Sequence, residues 1–90
     1  MSKITAQHIL VDQKFEAEDI LKKLKSGSDF SMLAKDFSTC GSSKDGGNLG
    51  EFPKGMMVKA FEEVAFSLRV GEVSDIVQTQ FGYHIIKRLN

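Results

Sequence analysis

Four side chains in this sequence have types that could carry chemistry: His8 in I-T-A-Q-H-I-L-V, Cys40 in S-T-C-G-S-S-K-D-G-G, and Thr79 and His84 in T-Q-F-G-Y-H-I-I-K. An imidazole can hold or pass a proton near neutral pH, and a thiolate can attack an acyl carbon when an imidazole takes its proton. Cys40 with a histidine therefore raises covalent acyl transfer, and Cys40, His8 and His84 together raise a metal site with three ligands. Neither has support from spacing. No known nucleophile signature surrounds Cys40, no third group is evident to orient a base, and the three ligands lie far apart in the chain. The plain alternatives stay open: strand histidines satisfied by neighbours, and a spare thiol in a Ser/Gly loop.

An apolar set stands beside these groups: Leu49, Met57, Phe61 and Phe81. Met57 and Phe61 are spaced i, i+4, which in most helices marks a core stripe. The same residues could instead line a pocket. Which reading holds depends on the elements that position them.

The segment Gln80–Lys87 predicts a turn followed by a strand, with Gly82 supplying the positive φ that a tight reversal needs. Ile76–Phe81 and Tyr83–Leu89 suit the two strands of that hairpin. Ile4–Val11 predicts the first strand, with Ile4, Ala6, His8 and Leu10 on one face and Thr5, Gln7, Ile9 and Val11 on the other. Apolar residues on both faces make it a central strand, and this puts His8 on an interior or cleft-lining surface where an unpartnered ring is costly.

Asp12-Gln13-Lys14 is a short connection. A first helix follows, with Ala17, Ile20, Leu21 and Leu24 on one stripe and Gly27 ending it. Ser28 or Asp29 caps a second helix, whose stripe is Phe30, Leu33, Ala34 and Phe37. Ser38–Gly47 is the longest irregular stretch, and a loop of about ten residues in so small a domain is usually functional or disordered. Asn48–Phe52 predicts a short strand and Pro53-Lys54-Gly55 a turn. A third helix then carries Met57, Phe61, Val64, Ala65 and Leu68, and Val70–Val73 leads to the hairpin. Strand, helix, helix, loop, strand, helix, strand, strand is the order of an α+β domain with a mostly antiparallel sheet covered by helices.

The 90 residues suit one domain, 1–90, with a single modest core. Twelve basic and twelve acidic residues cancel, so neither nucleic acid nor an anionic membrane is expected as the main partner. Met1–Thr5 shows no apolar signal core, and no apolar run approaches transmembrane length. One cysteine excludes an internal disulfide, and without a zinc-type pair a structural metal is not expected. The expected setting is a reducing cytoplasm, although a domain excised from a larger secreted or periplasmic chaperone would read the same way.

Four segments taken together, Q-H-I-L-V at 7–11, G-G-N-L-G-E-F at 46–52, G-M-M at 55–57 with Phe61, and Q-F-G-Y-H-I-I-K at 80–87, resemble the parvulin family of peptidyl-prolyl cis/trans isomerases. The match runs in order through essentially the whole chain and is nearest to the small single-domain bacterial form. The resemblance implies a four-stranded antiparallel sheet surrounded by helices, with the cleft on its concave side. It further implies that His8 and His84 face each other beneath the cleft, that Cys40 is the loop cysteine which some members replace by aspartate, and that Thr79 is the hydroxyl beside the histidines. These four would be the catalytic set. Leu49, Met57 and Phe61, with Phe81, would form the pocket for the substrate's proline ring.

Phosphate-directed members carry a longer basic loop after the first strand, and here that loop is short and contains an acid. The implied substrates are therefore unphosphorylated proline-containing peptides and unfolded or flexible protein segments. No cofactor or metal is implied, and cancelling charge suggests a monomer. A second reading is a binding module, in which the same cleft holds proline-containing segments with weak turnover. Retention of His8, Cys40, Thr79 and His84 together favours the enzyme.

Overall fold

Strand β1 (Lys3–Val11) is apolar on both faces, and that decides where it lies. It is hydrogen-bonded on one side to β2 (Asn48–Pro53) and on the other to β4 (Gly82–Arg88), which in turn pairs with β3 (Val77–Thr79). The result, in a computed structural model that describes residues 3–90, is one antiparallel sheet in the order β2-β1-β4-β3. Met1 and Ser2, part of the segment read for a signal core, lie outside the described residues.

Each face of β1 feeds its own core. Ile9 and Val11 pack with Ile85 under α1 (Lys14–Lys25) and α2 (Phe30–Phe37), through Ala17, Ile20, Phe30, Leu33 and Ala34. Ile4 and Ala6 pack with Phe52, Val77 and Ile86 under α3 (Lys59–Ser67), through Phe61, Ala65 and Leu68. The sheet is thus covered by helices on both sides, as its two-sided apolar pattern requires.

The helix ends follow their capping chemistry. Gln13 precedes α1, and the Glu16 carboxylate accepts its backbone N–H at 3.1 Å. Gly27, just past the end, takes φ +104 in the C′ position. Of the two candidate caps for α2, Asp29 fills the role, its carboxylate accepting the N–H of Met32 at 3.1 Å.

Three expectations are corrected. Ser38–Gly47 is not wholly irregular: Gly41–Asp45 forms a 3₁₀ turn, closed by Gly46 in the left-handed conformation. Phe37 lies on the periodic stripe of α2 but is exposed, because the helix ends there and the chain turns back toward β1. Met57 stands outside α3. Val58 is extended at the N-cap, and Glu62 accepts the N–H of Gly55, folding the 54–58 segment against the helix. In addition, β3 is shorter than the Ile76–Phe81 expected, leaving Gln80 and Phe81 as the hairpin loop.

Candidate active site

The register of β1 against β4 brings the two histidines together. His8 is opposite Ile86 and Leu10 is opposite His84, so the imidazoles are diagonal neighbours on the face covered by α3. Their Nδ1 atoms are 3.1 Å apart. His8 Nε2 is 3.2 Å from the hydroxyl of Ser42, and His84 Nε2 is 2.7 Å from that of Thr79. All four ring nitrogens therefore have a partner.

This line of contacts constrains the protons. The Phe81 N–H donates to Thr79 Oγ1 at 3.1 Å, which leaves the Thr79 hydroxyl proton for His84 Nε2. His84 Nδ1–H then donates to His8 Nδ1, and His8 Nε2–H to Ser42. Reversing every histidine and hydroxyl proton gives a second satisfied line. In both, one proton lies between the Nδ1 atoms and both rings are neutral, as opposite tautomers.

The environment holds them so. Burial, and then the neighbouring His84 ring, lower the pKa of His8 from 6.5 to about 4. Burial likewise lowers that of His84. Phe61 of α3 presses on both rings edge-on, with centroids 5.5 Å from His8 and 5.3 Å from His84.

Above this polar floor is a cavity of about 380 Å³, lined by His8, Leu10, Cys40, Leu49, Met56, Met57, Val58, Phe61, Phe81 and His84. Seven of the eight candidate residues thus meet in one place, and Thr79 stands behind His84. Met56 and Phe81 are exposed at its mouth, while Phe61 is buried at its base. A wider groove of about 690 Å³, lined by Ser31, Lys35, Lys44 and Asp45 among others, shares only Leu49 with the cleft and holds neither histidine.

Glycines make the close approaches possible. At Gly82, φ is +136 and a Cβ would sit 2.6 Å from the Val11 carbonyl oxygen. At Gly47, φ is +84 and a Cβ would come to 2.3 Å from the carbonyl oxygen of His8. Ser42 was not visible as a site residue in the sequence, since its approach to His8 depends on the 3₁₀ turn. Leu10 could have been found from its place on the His8 face. Among the described residues, no group of three or more His, Cys, Asp and Glu side chains is placed to hold a metal ion.

Residues 5–90 match the rotamase family model, the PPIC-type PPIase domain. The foldase protein PrsA of Caldanaerobacter subterraneus is 58% identical over 83 residues, which span 91% of this chain and 27% of that protein. The chain thus covers less than a third of that relative's length. The crystal structure of PrsA from Bacillus anthracis superposes with a TM-score of 0.96 at 46% identity, over 98% of this chain and 41% of that one. The solution structure of NmPin, the parvuline of Nitrosopumilus maritimus, matches end to end: TM-score 0.89, 56% identity, 100% of this chain and 98% of that one. The chain belongs to the parvulin, or PPIC-type, family of peptidyl-prolyl cis/trans isomerases.

Proposed function

We propose that this protein accelerates rotation about Xaa-Pro bonds in unphosphorylated peptides and flexible protein segments, by a non-covalent mechanism. The observation that carries the reading is an apolar cavity set directly on a neutral pair of histidines whose ring nitrogens all have partners. The barrier to rotation is roughly 18–20 kcal/mol and comes from amide resonance. A site lowers it by binding the twisted amide better than either planar form. Leu49, Met57, Phe61 and Phe81 grip the proline ring and exclude water. The twisted amide is less polar than the planar one, so an apolar wall favours it.

The polar groups tune that environment. Cys40 lies on the cavity wall with His8 and His84, and presents a thiol dipole to the substrate carbonyl. His8 and His84 already spend their nitrogens on each other, Ser42 and Thr79, so neither is turned to Cys40 as a base. That speaks against a cysteine hydrolase, which needs a free imidazole nitrogen on the thiol. His8, His84, Cys40 and Thr79 act together as a fixed dipole array.

Substrate class follows from what surrounds the mouth. Met56 and Phe81 are exposed there, which suits an apolar residue before the proline. The link from β1 to α1 is only Asp12 and Gln13, with no arginine to hold a phosphate dianion. On this reading the protein acts as a monomer in the cytoplasm, with no nucleic-acid or membrane partner. Set within a longer chaperone, the same domain works wherever that chaperone does.

Two-dimensional exchange spectroscopy tests the proposal, because uncatalysed Xaa-Pro isomerisation takes tens to hundreds of seconds. Catalytic amounts of protein should produce cis–trans exchange peaks on an apolar-Xaa-Pro peptide, with no gain when a phosphoserine precedes the proline. Binding without exchange, read as shifts at Met57 and Phe61, would make the cleft a docking groove. A large gain on phosphorylation would overturn the substrate class.

A further inference from the structure

Gln7 adjoins His8 on β1, but its side chain points to the opposite face and is 7% exposed. Both protons of its Nε2 are used. One goes to Ser31 Oγ on α2 at 2.8 Å, the other to the carbonyl of Gly46 at 2.8 Å. The His8 backbone N–H takes the next carbonyl, that of Gly47, at 2.9 Å. Two successive carbonyls at the end of the 3₁₀ turn are therefore held by two successive residues of β1.

The seat is tight. A Cβ at Gly46 would come within 2.8 Å of Ser31 Cβ, in addition to the strain of φ +68. The pairing of β1 with β2 shifts register between Thr5 and Gln7, just where the turn enters β2. At its other end the same loop is tied to Leu10, whose carbonyl accepts the Thr39 N–H at 2.8 Å and whose N–H donates to Ser38 Oγ at 3.0 Å. Between these two anchors lie Cys40, on the cavity wall, and Ser42, which meets His8 Nε2.

We propose that Gln7 is a positioning residue for the isomerisation: its buried carboxamide pins the 3₁₀ turn so that Ser42 and Cys40 keep their places against His8 and the cavity. Gln7 touches neither substrate nor the histidine rings. It acts through the turn. The inference rests on the isomerase reading, since the groups it places are the polar half of that site.

Gln7→Met tests it, because methionine fills the same volume and donates no hydrogen bond. Losing the donor to a buried carbonyl should lower kcat on an apolar-Xaa-Pro peptide about tenfold, with KM within about twofold because the proline pocket is untouched. The ¹⁵N resonance of His8 Nε2 should move as Ser42 withdraws, a change that loss of stability alone would not produce. A folded Gln7→Met protein with wild-type kcat, or one whose kcat falls while the His8 resonance stays fixed, overturns the inference.

Should Gln7→Met not fold, Ser31→Ala removes one anchor of the carboxamide at a half-exposed position. It should lower kcat about two- to threefold at constant KM and shift the same His8 resonance. No change in either quantity overturns the inference. Absence of exchange peaks with the wild-type protein would instead defeat the isomerase reading. The two failures are therefore separable.

Discussion

Lowering the pH from neutral is the perturbation that the buried histidine pair should register most directly. In the unfolded chain His8 takes up a proton near 6.5, whereas in the folded protein it resists until about 4. Between those values the unfolded state binds more protons, so stability falls as pH falls. The stabilisation is complete above 6.5 and is lost on the way down to about 4. From the difference between 6.5 and about 4, His8 alone contributes about 3 kcal/mol, a large fraction of a small domain's stability. His84 is lowered too and adds in the same direction.

Asp19, held down by its hydrogen bond to Lys23, titrates below its ordinary 3.8. Urea midpoints measured across the window, with the ring resonances of both histidines followed in parallel, read out the effect. The expected result is a midpoint that drops steadily below pH 6.5 while the His8 ring of the folded protein stays neutral until the pH nears about 4 and the His84 ring titrates below its ordinary 6.5. A flat midpoint, or a His8 ring titrating near 6.5 in the folded state, would refute the neutral-pair reasoning.

Two substitutions separate binding from scaffold. Met57→Ala removes a half-buried thioether outside α3, so it should cost about 1 kcal/mol of stability while lowering kcat/KM about tenfold through lost contact with the proline ring; peptide titrations and urea unfolding check both. Gly47→Ala introduces a Cβ 2.3 Å from the His8 carbonyl at φ +84, and should destabilise by about 2 kcal/mol or more while abolishing exchange. A Gly47→Ala protein with wild-type Tm would contradict the close seating of the turn on β1.

Much of the architecture was legible because its causes are local. The two-sided apolar pattern of Ile4–Val11 placed that strand at the centre, and Gly27 with Ser28 or Asp29 marked the helix boundaries by chemistry that acts within a few residues, the structure choosing Asp29 as the cap. His8 and His84 lie on adjacent strands with their Nδ1 atoms 3.1 Å apart, a proximity set by the register of β1 against β4. What escaped notice depends on register and tertiary folding. Ser42 meets His8 only because a Gly- and Ser-rich loop, whose composition hides any period, winds into a 3₁₀ turn. Gln7 was placed on the Ile9 and Val11 face of β1, but its hydrogen bonds to Ser31 and Gly46 depend on the β1–β2 irregularity and on α2 lying over it. Met57 and Phe61 share helical spacing, but the extended Val58 breaks the helix between them, and that break turns Met57 into the cleft.

In the mechanism proposed above, Cys40 serves as a dipole on the cavity wall and not as a nucleophile. The most direct measurement is exchange spectroscopy on one unphosphorylated Xaa-Pro peptide with wild-type protein and with Cys40→Asp, each checked for folding. Aspartate keeps a polar group near the carbonyl and removes the sulfur. Exchange peaks persisting at a substantial fraction of the wild-type rate are the predicted result. Their complete loss in a folded Cys40→Asp protein would rule out a dipole role and restore the covalent alternative.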